Sequence, residues 1–214
     1  YPVLIYAHPV IMTGKRAALL KEYVANGGIL IIGCRSGYKQ ENGKCVMLPQ
    51  PGLLQKITGS DVRDFTFTSP AEPSVTANWD GQTIDMPIFN DIMEPVEEGE
   101  TLAFYAGKPA VIRKNTGKGY AIHFGSTFSR ESMKVLLEYT GILEPFQAML
   151  EAPQEVEVIQ RVKGNKKYFF VLNYMGSEQK IVLKKQMRSL YDNVIANGEI
   201  CMKPYETIVY EVLE

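Results

Sequence analysis

The run Gly27-Gly28-Ile29-Leu30-Ile31-Ile32-Gly33 constrains this chain more than any other segment. Upstream of it, Thr13 reads as a helix N-cap. Ala17, Leu20, Tyr23 and Val24 then recur at helical spacing as far as Asn26. The paired glycines supply the left-handed stop such a helix needs. Ile29 to Ile32 is a short, wholly apolar run, as a buried strand requires, and Val3 to Ala7 has the same character. Strand, helix and strand in this order make a β-α-β unit, whose crossover is right-handed and whose strands are parallel. The expected fold is therefore α/β with a mostly parallel sheet. The polar loop that follows, Cys34 to Asn42, leaves the C-terminal end of the second strand, where sites in such sheets lie.

Farther along, Pro51-Gly52 precedes a short helix, Leu53 to Thr58, stopped by Gly59. From Val62 to about Tyr105 the pattern becomes short alternating runs broken by Pro and Gly. Ala110 to Lys114 and Tyr120 to Gly125 flank Asn115-Thr116-Gly117-Lys118-Gly119, a strand-turn-strand hairpin. Ser129 caps a second helix with Met133, Leu136 and Leu137 on one face, and Gly141 ends it. Past Glu151-Ala152-Pro153 every signal is β, with strands at short spacing and Asn197-Gly198 as a two-residue hairpin turn. Two domains are expected: an α/β domain over residues 1–149, and a small antiparallel β sandwich over 150–214. The second is small enough to be marginal alone.

Bulk properties narrow the function. Lys and Arg number 23 against 24 Asp and Glu, a formal charge of −1, so nothing points to nucleic acid or an anionic membrane. No apolar run approaches the roughly 18 residues that span a bilayer. Three cysteines, Cys34, Cys45 and Cys201, without a Cys-x-x-Cys pair, argue against a disulfide framework and a structural zinc, and suit a reducing compartment. Two histidines, His8 and His123, rule out a histidine-rich metal centre, and no cofactor is expected. The chain opens Tyr1-Pro2-Val3-Leu4-Ile5 inside a strand-like run without an initiator Met, which reads as a fragment of something longer. The lack of a signal peptide is then uninformative.

Several segments in a fixed order carry a resemblance. They are Gly27-Gly28-Ile29-Leu30-Ile31 running into Arg35-Ser36-Gly37-x-x-x-Glu41-Asn42, then Pro51-Gly52-Leu53-Leu54-x-x-Ile57-x-Gly59, then Pro109-Ala110-Val111 and Gly117-Lys118-Gly119-Tyr120-Ala121. Gly164-Asn165-Lys166-Lys167-Tyr168-Phe169-Phe170-Val171-Leu172-Asn173-Tyr174 and Lys203-Pro204-Tyr205-Glu206 complete the set. Together they resemble the C-terminal part of glycoside hydrolase family 42 β-galactosidases. The resemblance implies a flavodoxin-like, class I glutamine amidotransferase-like domain that makes trimer contacts, lacking its first strands, followed by a small β domain. It implies a homotrimeric, cytoplasmic parent that hydrolyses terminal non-reducing β-D-galactosides with retention in a catalytic (β/α)8 barrel. A barrel of that kind takes roughly 250 residues and eight β-α repeats, which this chain does not have. The catalytic glutamates therefore belong elsewhere, none is carried over, and this piece is expected to be inert toward galactosides.

Two groups of residues remain as candidates. Cys34 follows a buried strand and His123 lies in a later one, so a Cys-His pair could activate a thiolate in a hydrolase or amidotransferase. Against it, no helix follows Cys34 and no acidic residue closely follows His123. The bland reading is a small buried side chain at a strand end. His8 could line the same cleft, or be a satisfied loop histidine. Arg35, Ser36, Glu41 and Asn42 are polar loop residues, either turn formers or an interface to a neighbouring subunit or to the barrel. Trp79 invites a carbohydrate-binding reading, but it sits in Asn78-Trp79-Asp80-Gly81-Gln82, a hairpin turn. Gly117-Lys118-Gly119 lacks P-loop spacing and is a turn.

Overall fold

The computed structural model describes residues 1–213, which divide into two compact units, Tyr1–Ile142 and Leu143 onward. In the first unit the chain runs β1 (Val3–Tyr6), α1 (Gly14–Ala25), β2 (Ile29–Ile32) and, after a 3-10 turn at Gly52–Leu54, α2 (Gln55–Thr58). It continues through β3 (Ser60–Phe67), β4 (Val75–Trp79), β5 (Gln82–Met86), β6 (Phe89–Pro95), β7 (Glu100–Tyr105), β8 (Lys108–Thr116), β9 (Gly119–Phe124) and α3 (Arg130–Tyr139). The second unit holds α4 (Glu144–Gln147), β10 (Leu150–Glu151), β11 (Val156–Lys163), β12 (Lys166–Asn173), β13 (Gln179–Ser189), β14 (Ile195–Met202) and β15 (Thr207–Val212).

The local signals at the start of the chain form as their chemistry dictates. The Thr13 hydroxyl accepts the Arg16 N–H and caps α1. Ser129 and Ser132 exchange hydrogen bonds in a capping box at α3. β1 pairs with β2 in parallel, and β2 with β9 in parallel, matching Ile29 to Tyr120 and Ile32 to His123. Leu30, Ile32 and Ala121 face α1 and α2, packing on Ala17, Leu20, Val24, Leu54 and Ile57. Ile31, Ile122 and Phe124 face the other way, with Leu136 of α3. At Gly119 the strand runs close to the end of α1: a Cβ there would lie 2.2 Å from the Gly28 carbonyl oxygen and 2.5 Å from that of Val24.

The mostly parallel, flavodoxin-like and amidotransferase-like sheet expected from the sequence is not what forms. Strands hold 48% of the residues and helices 15%. The seven-stranded sheet runs β1-β2-β9-β8-β7-β4-β5, and beyond β9 every neighbour is antiparallel. The reason is connection length. Asp80-Gly81, Ala106-Gly107 and Gly117-Lys118 are two-residue links, and Asp80, Gly81, Ala106 and Gly107 all have positive φ. Two residues can join only antiparallel strands, whereas a parallel crossover needs a dozen or more. The β-α-β unit is real, but it ends at three strands. β3 and β6 form a separate antiparallel ribbon.

A small antiparallel β domain forms as expected, but as one connected six-stranded sheet and not the two sheets of a sandwich, with the path β10-β13-β15-β12-β11 and β14 on β13. Its core is Phe169, Val171, Ile181, Leu183, Met187 and Met202, among others. Asn197-Gly198, expected as a hairpin turn, lies inside β14, with Gly198 opposite Leu183 beside a register shift. Gly198 has φ 81°, so its glycine freedom serves an irregularity in the strand instead of a turn. The reversal occurs a few residues earlier, where Asn193 at φ 61° donates its N–H to the Ser189 carbonyl.

Candidate functional site

The loop after β2 is built by local hydrogen bonds. At Gly33 a Cβ would meet the His8 and Phe128 rings at 2.5 and 2.9 Å, so the strand leaves the sheet where only glycine fits. The Cys34 N–H donates to the Ser126 carbonyl, and the buried Ser36 hydroxyl donates to the Gly33 carbonyl at 2.6 Å. Arg35 between them adopts φ 55°, uncommon for a residue with a Cβ. Its N–H donates to Asp91 Oδ2 at 3.1 Å, which fixes the turn. Glu41 and Asn42 are exposed at the loop's far end, where Asn42 Oδ1 accepts the Lys44 N–H.

Cys34 and His123 are not hydrogen-bonded to each other. Cys34 Sγ lies 3.7 Å from His8 Nδ1. That nitrogen also lies 3.0 Å from the Cys34 carbonyl oxygen, which can only accept, so it carries its proton and is no base for the thiol. Burial pushes the Cys34 thiol up to about 12, and the Asp91 carboxylate pushes in the same direction. Arg35 opposes both more weakly. At neutral pH Cys34 is a protonated, buried thiol.

His123 sits instead in a buried polar row that sequence reasoning missed. The Thr58 hydroxyl donates to the Leu54 carbonyl and lies 2.7 Å from Ser60 Oγ. Ser60 Oγ lies 2.8 Å from His123 Nδ1, and His123 Nε2 lies 3.6 Å from Asp91 Oδ2. Ser60, His123 and Asp91 thus share the residue types of a hydrolytic triad. Their surroundings forbid its chemistry: all three are buried, so no substrate reaches the Ser60 hydroxyl. The signal was Asn90-Asp91, two polar residues interrupting the apolar run from Ile88 to Met93. Trp79, the carbohydrate candidate, is buried and packs on Tyr139 with ring centroids 4.9 Å apart. Among the described residues, no group of three or more His, Cys, Asp or Glu is placed to hold a metal ion. No helix among them is long and apolar enough to cross a membrane.

Comparison with known proteins decides what this arrangement belongs to. Residues 1–144 match the family model of the β-galactosidase trimerisation domain. The chain belongs to the β-galactosidase trimerisation-domain family. Residues 155–211 match the model of the β-galactosidase C-terminal domain. β-Galactosidase BgaB of Geobacillus sp. (strain Y412MC61) is 32% identical over 181 residues, which is 82% of this chain and 26% of BgaB. The chain therefore spans about a quarter of that relative's length. Among solved structures, the β-galactosidase of Bacillus circulans sp. alkalophilus superposes with a TM-score of 0.86 at 21% identity, covering 100% of this chain and 33% of the other. Gan42B, a GH42 β-galactosidase from G. stearothermophilus, gives 0.82 at 23% identity, covering 99% and 32%.

Within this trimerisation-domain chain the three cysteines differ sharply. Cys45 and Cys201 are exposed and Cys34 is buried. Iodoacetamide at neutral pH is expected to label Cys45 first, and Cys34 only after denaturant is added. Peptide mass spectrometry over a time course checks this. Rapid native labelling of Cys34 would show a thiolate that this geometry does not support.

Proposed function

We propose that this chain is the subunit-association part of a longer β-galactosidase and takes no part in bond cleavage itself. The carrying observation is the trimerisation-domain match over residues 1–144, in a chain that spans 26% of its relative BgaB. The longer protein would associate with copies of itself, hydrolyse terminal non-reducing β-D-galactosides in a catalytic barrel outside this sequence, and reside in the cytoplasm. The polar side chains of the first unit support a structural role. Ser36, Ser60, Asp91 and His123 are buried and hold strand ends and turns. We assign the association role to the first part, residues 1–149, and a supporting role to residues 150–214.

Light scattering across a concentration series tests this. The expected result is a concentration-dependent species of three times the 24.0 kDa monomer mass, in samples that leave a chromogenic β-galactoside intact. A monomer at every concentration, or turnover of the galactoside, would overturn the reading.

A further inference from the structure

The second unit holds a cavity of its own. β13 pairs with β14 at Met187 and Ala196 and with β15 at Ser189 and Tyr210, and its register shift between Leu183 and Met187 bends it. Between β14 and β15 lies a cavity of about 300 Å³. Ala196 and Ile200 of β14 and Ile208 of β15 give it an apolar wall that is continuous with the core of the unit. Tyr210, Asp192 and Glu206 bring polar groups to the same space. Apolar walls with a few convergent polar groups are the make-up of a small-molecule site.

Tyr210 is only 3% exposed, yet its hydroxyl makes no hydrogen bond with any described residue. A buried phenol ordinarily has a partner. Burial pushes the Tyr210 hydroxyl above its ordinary range, and the Glu206 and Asp192 carboxylates push in the same direction. The two acids that line the cavity thus act on the phenol, so the hydroxyl is the end turned toward it. Each acid is anchored by a neutral donor. Asp192 Oδ1 accepts the Val194 N–H at 3.2 Å, and Glu206 Oε2 accepts the Lys203 N–H at 2.7 Å. Bonds from Ser189 and from that Val194 N–H hold the Asp192 carboxyl below its usual range, so it is ionised at neutral pH. Among the described residues, no Lys or Arg lines the cavity. On its Cys201 side, Cys201 Sγ donates to Glu178 at 3.4 Å, and Lys180 is paired with Glu199 at 2.7 Å. Lys203 is exposed on the turn before Glu206. Asp192, Glu206, Glu178 and Glu199 therefore outweigh Lys180 and Lys203, and the surroundings are anionic.

We propose that this cavity binds a small primary ammonium compound, with its apolar body against Ile200 and Ile208 and its ammonium donating to Asp192, Glu206 and the Tyr210 oxygen. An ammonium carries three donors for these three acceptors, whereas an alcohol carries one and a carboxylate ligand would be repelled. The site lies in the second unit alone and stands whether or not the chain associates.

Amide NMR titrations of the whole chain with benzylammonium chloride test it, with benzyl alcohol and benzoate as probes of similar shape. Benzylammonium is expected to give saturable shifts at the amides of residues 192–196 and 206–210, and the alcohol to bind roughly tenfold more weakly. Glu206→Gln keeps the acceptor for Lys203 but loses the charge, and is expected to raise the benzylammonium dissociation constant roughly tenfold. Tyr210→Phe keeps the ring and loses only the hydroxyl, with an expected rise of about threefold or more. No saturable shift at these amides would overturn the site. Equal binding of benzyl alcohol would overturn the ammonium class. Unchanged affinity in both variants would overturn the assigned contacts. Should Tyr210→Phe melt early, Glu206→Gln decides alone: unchanged affinity overturns the proposal.

Discussion

Replacing Asp91 with alanine is expected to destabilise the first unit by about 3 kcal/mol, because two polar groups lose the atom that faces them. Asp91 Oδ2 accepts the Arg35 N–H at 3.1 Å and faces His123 Nε2 at 3.6 Å. Its side chain is fully buried, so water does not simply replace it. For a chain of this length that loss lowers a thermal midpoint by about 6–12 °C. Asp91→Asn keeps an acceptor of nearly the same shape at the Arg35 N–H and is expected to retain most of the stability. Differential scanning calorimetry of the two variants separates the contributions. A second readout follows from the turn. Without Asp91, the left-handed turn at Arg35 loses its tether, so Cys34 in the alanine variant is expected to react with iodoacetamide before denaturant is added. An alanine variant with a wild-type midpoint and a still-protected Cys34 would show that the loop is held by the Ser126 and Gly33 carbonyls instead.

What could be read from the sequence depended on how local the deciding interaction is. The Thr13 and Ser129 caps, the Asp80-Gly81 turn and the paired β1 and β2 runs are each settled within a few residues, and they form as read. The sheet's overall character is not local. β9 joins the β-α-β unit from far along the chain, and it brings with it the antiparallel hairpins that precede it. Asn197-Gly198 carries a real preference for positive φ, but β13 offers a partner on which that preference is met within a strand. The buried row of Ser60, His123 and Asp91 draws on β3, β9 and β6. No spacing rule connects three strands, so His123 was legible only as an isolated histidine, and Cys34 looked like its partner. Arg35, Ser36, Glu41 and Asn42 were visible as a polar loop. Their division into a buried lock, Ser36, a guanidinium stacked over the rings of the ribbon, Arg35, and an exposed loop tip, Glu41 and Asn42, required the ribbon.

Phe169→Ala is expected to have the larger consequence, because it strikes the smaller unit. Phe169 is fully buried in β12, between β11 and β15, opposite Gln160 and Tyr210. The Phe146 ring meets it edge-on at 6.2 Å, so part of the packing comes from α4. Truncating a buried phenylalanine costs about 3–5 kcal/mol, through lost burial and the cavity left behind. Only about seventy residues build this core, and a unit of that size holds little stability in reserve. A loss of this size is therefore expected to unfold the second unit at or below 37 °C. Hydrogen exchange read by mass spectrometry localises the effect, with loss of amide protection across β11, β12 and β15. Phe169→Leu refills most of the volume and is expected to cost under about 1.5 kcal/mol and keep that protection. If the alanine variant kept its protected amides at 37 °C, the stability of this unit would have to come from outside the Phe169 cluster. The ion-pair cluster on the central strands of the same sheet, where Lys166 and Arg188 both contact Glu211, would then be the next place to cut.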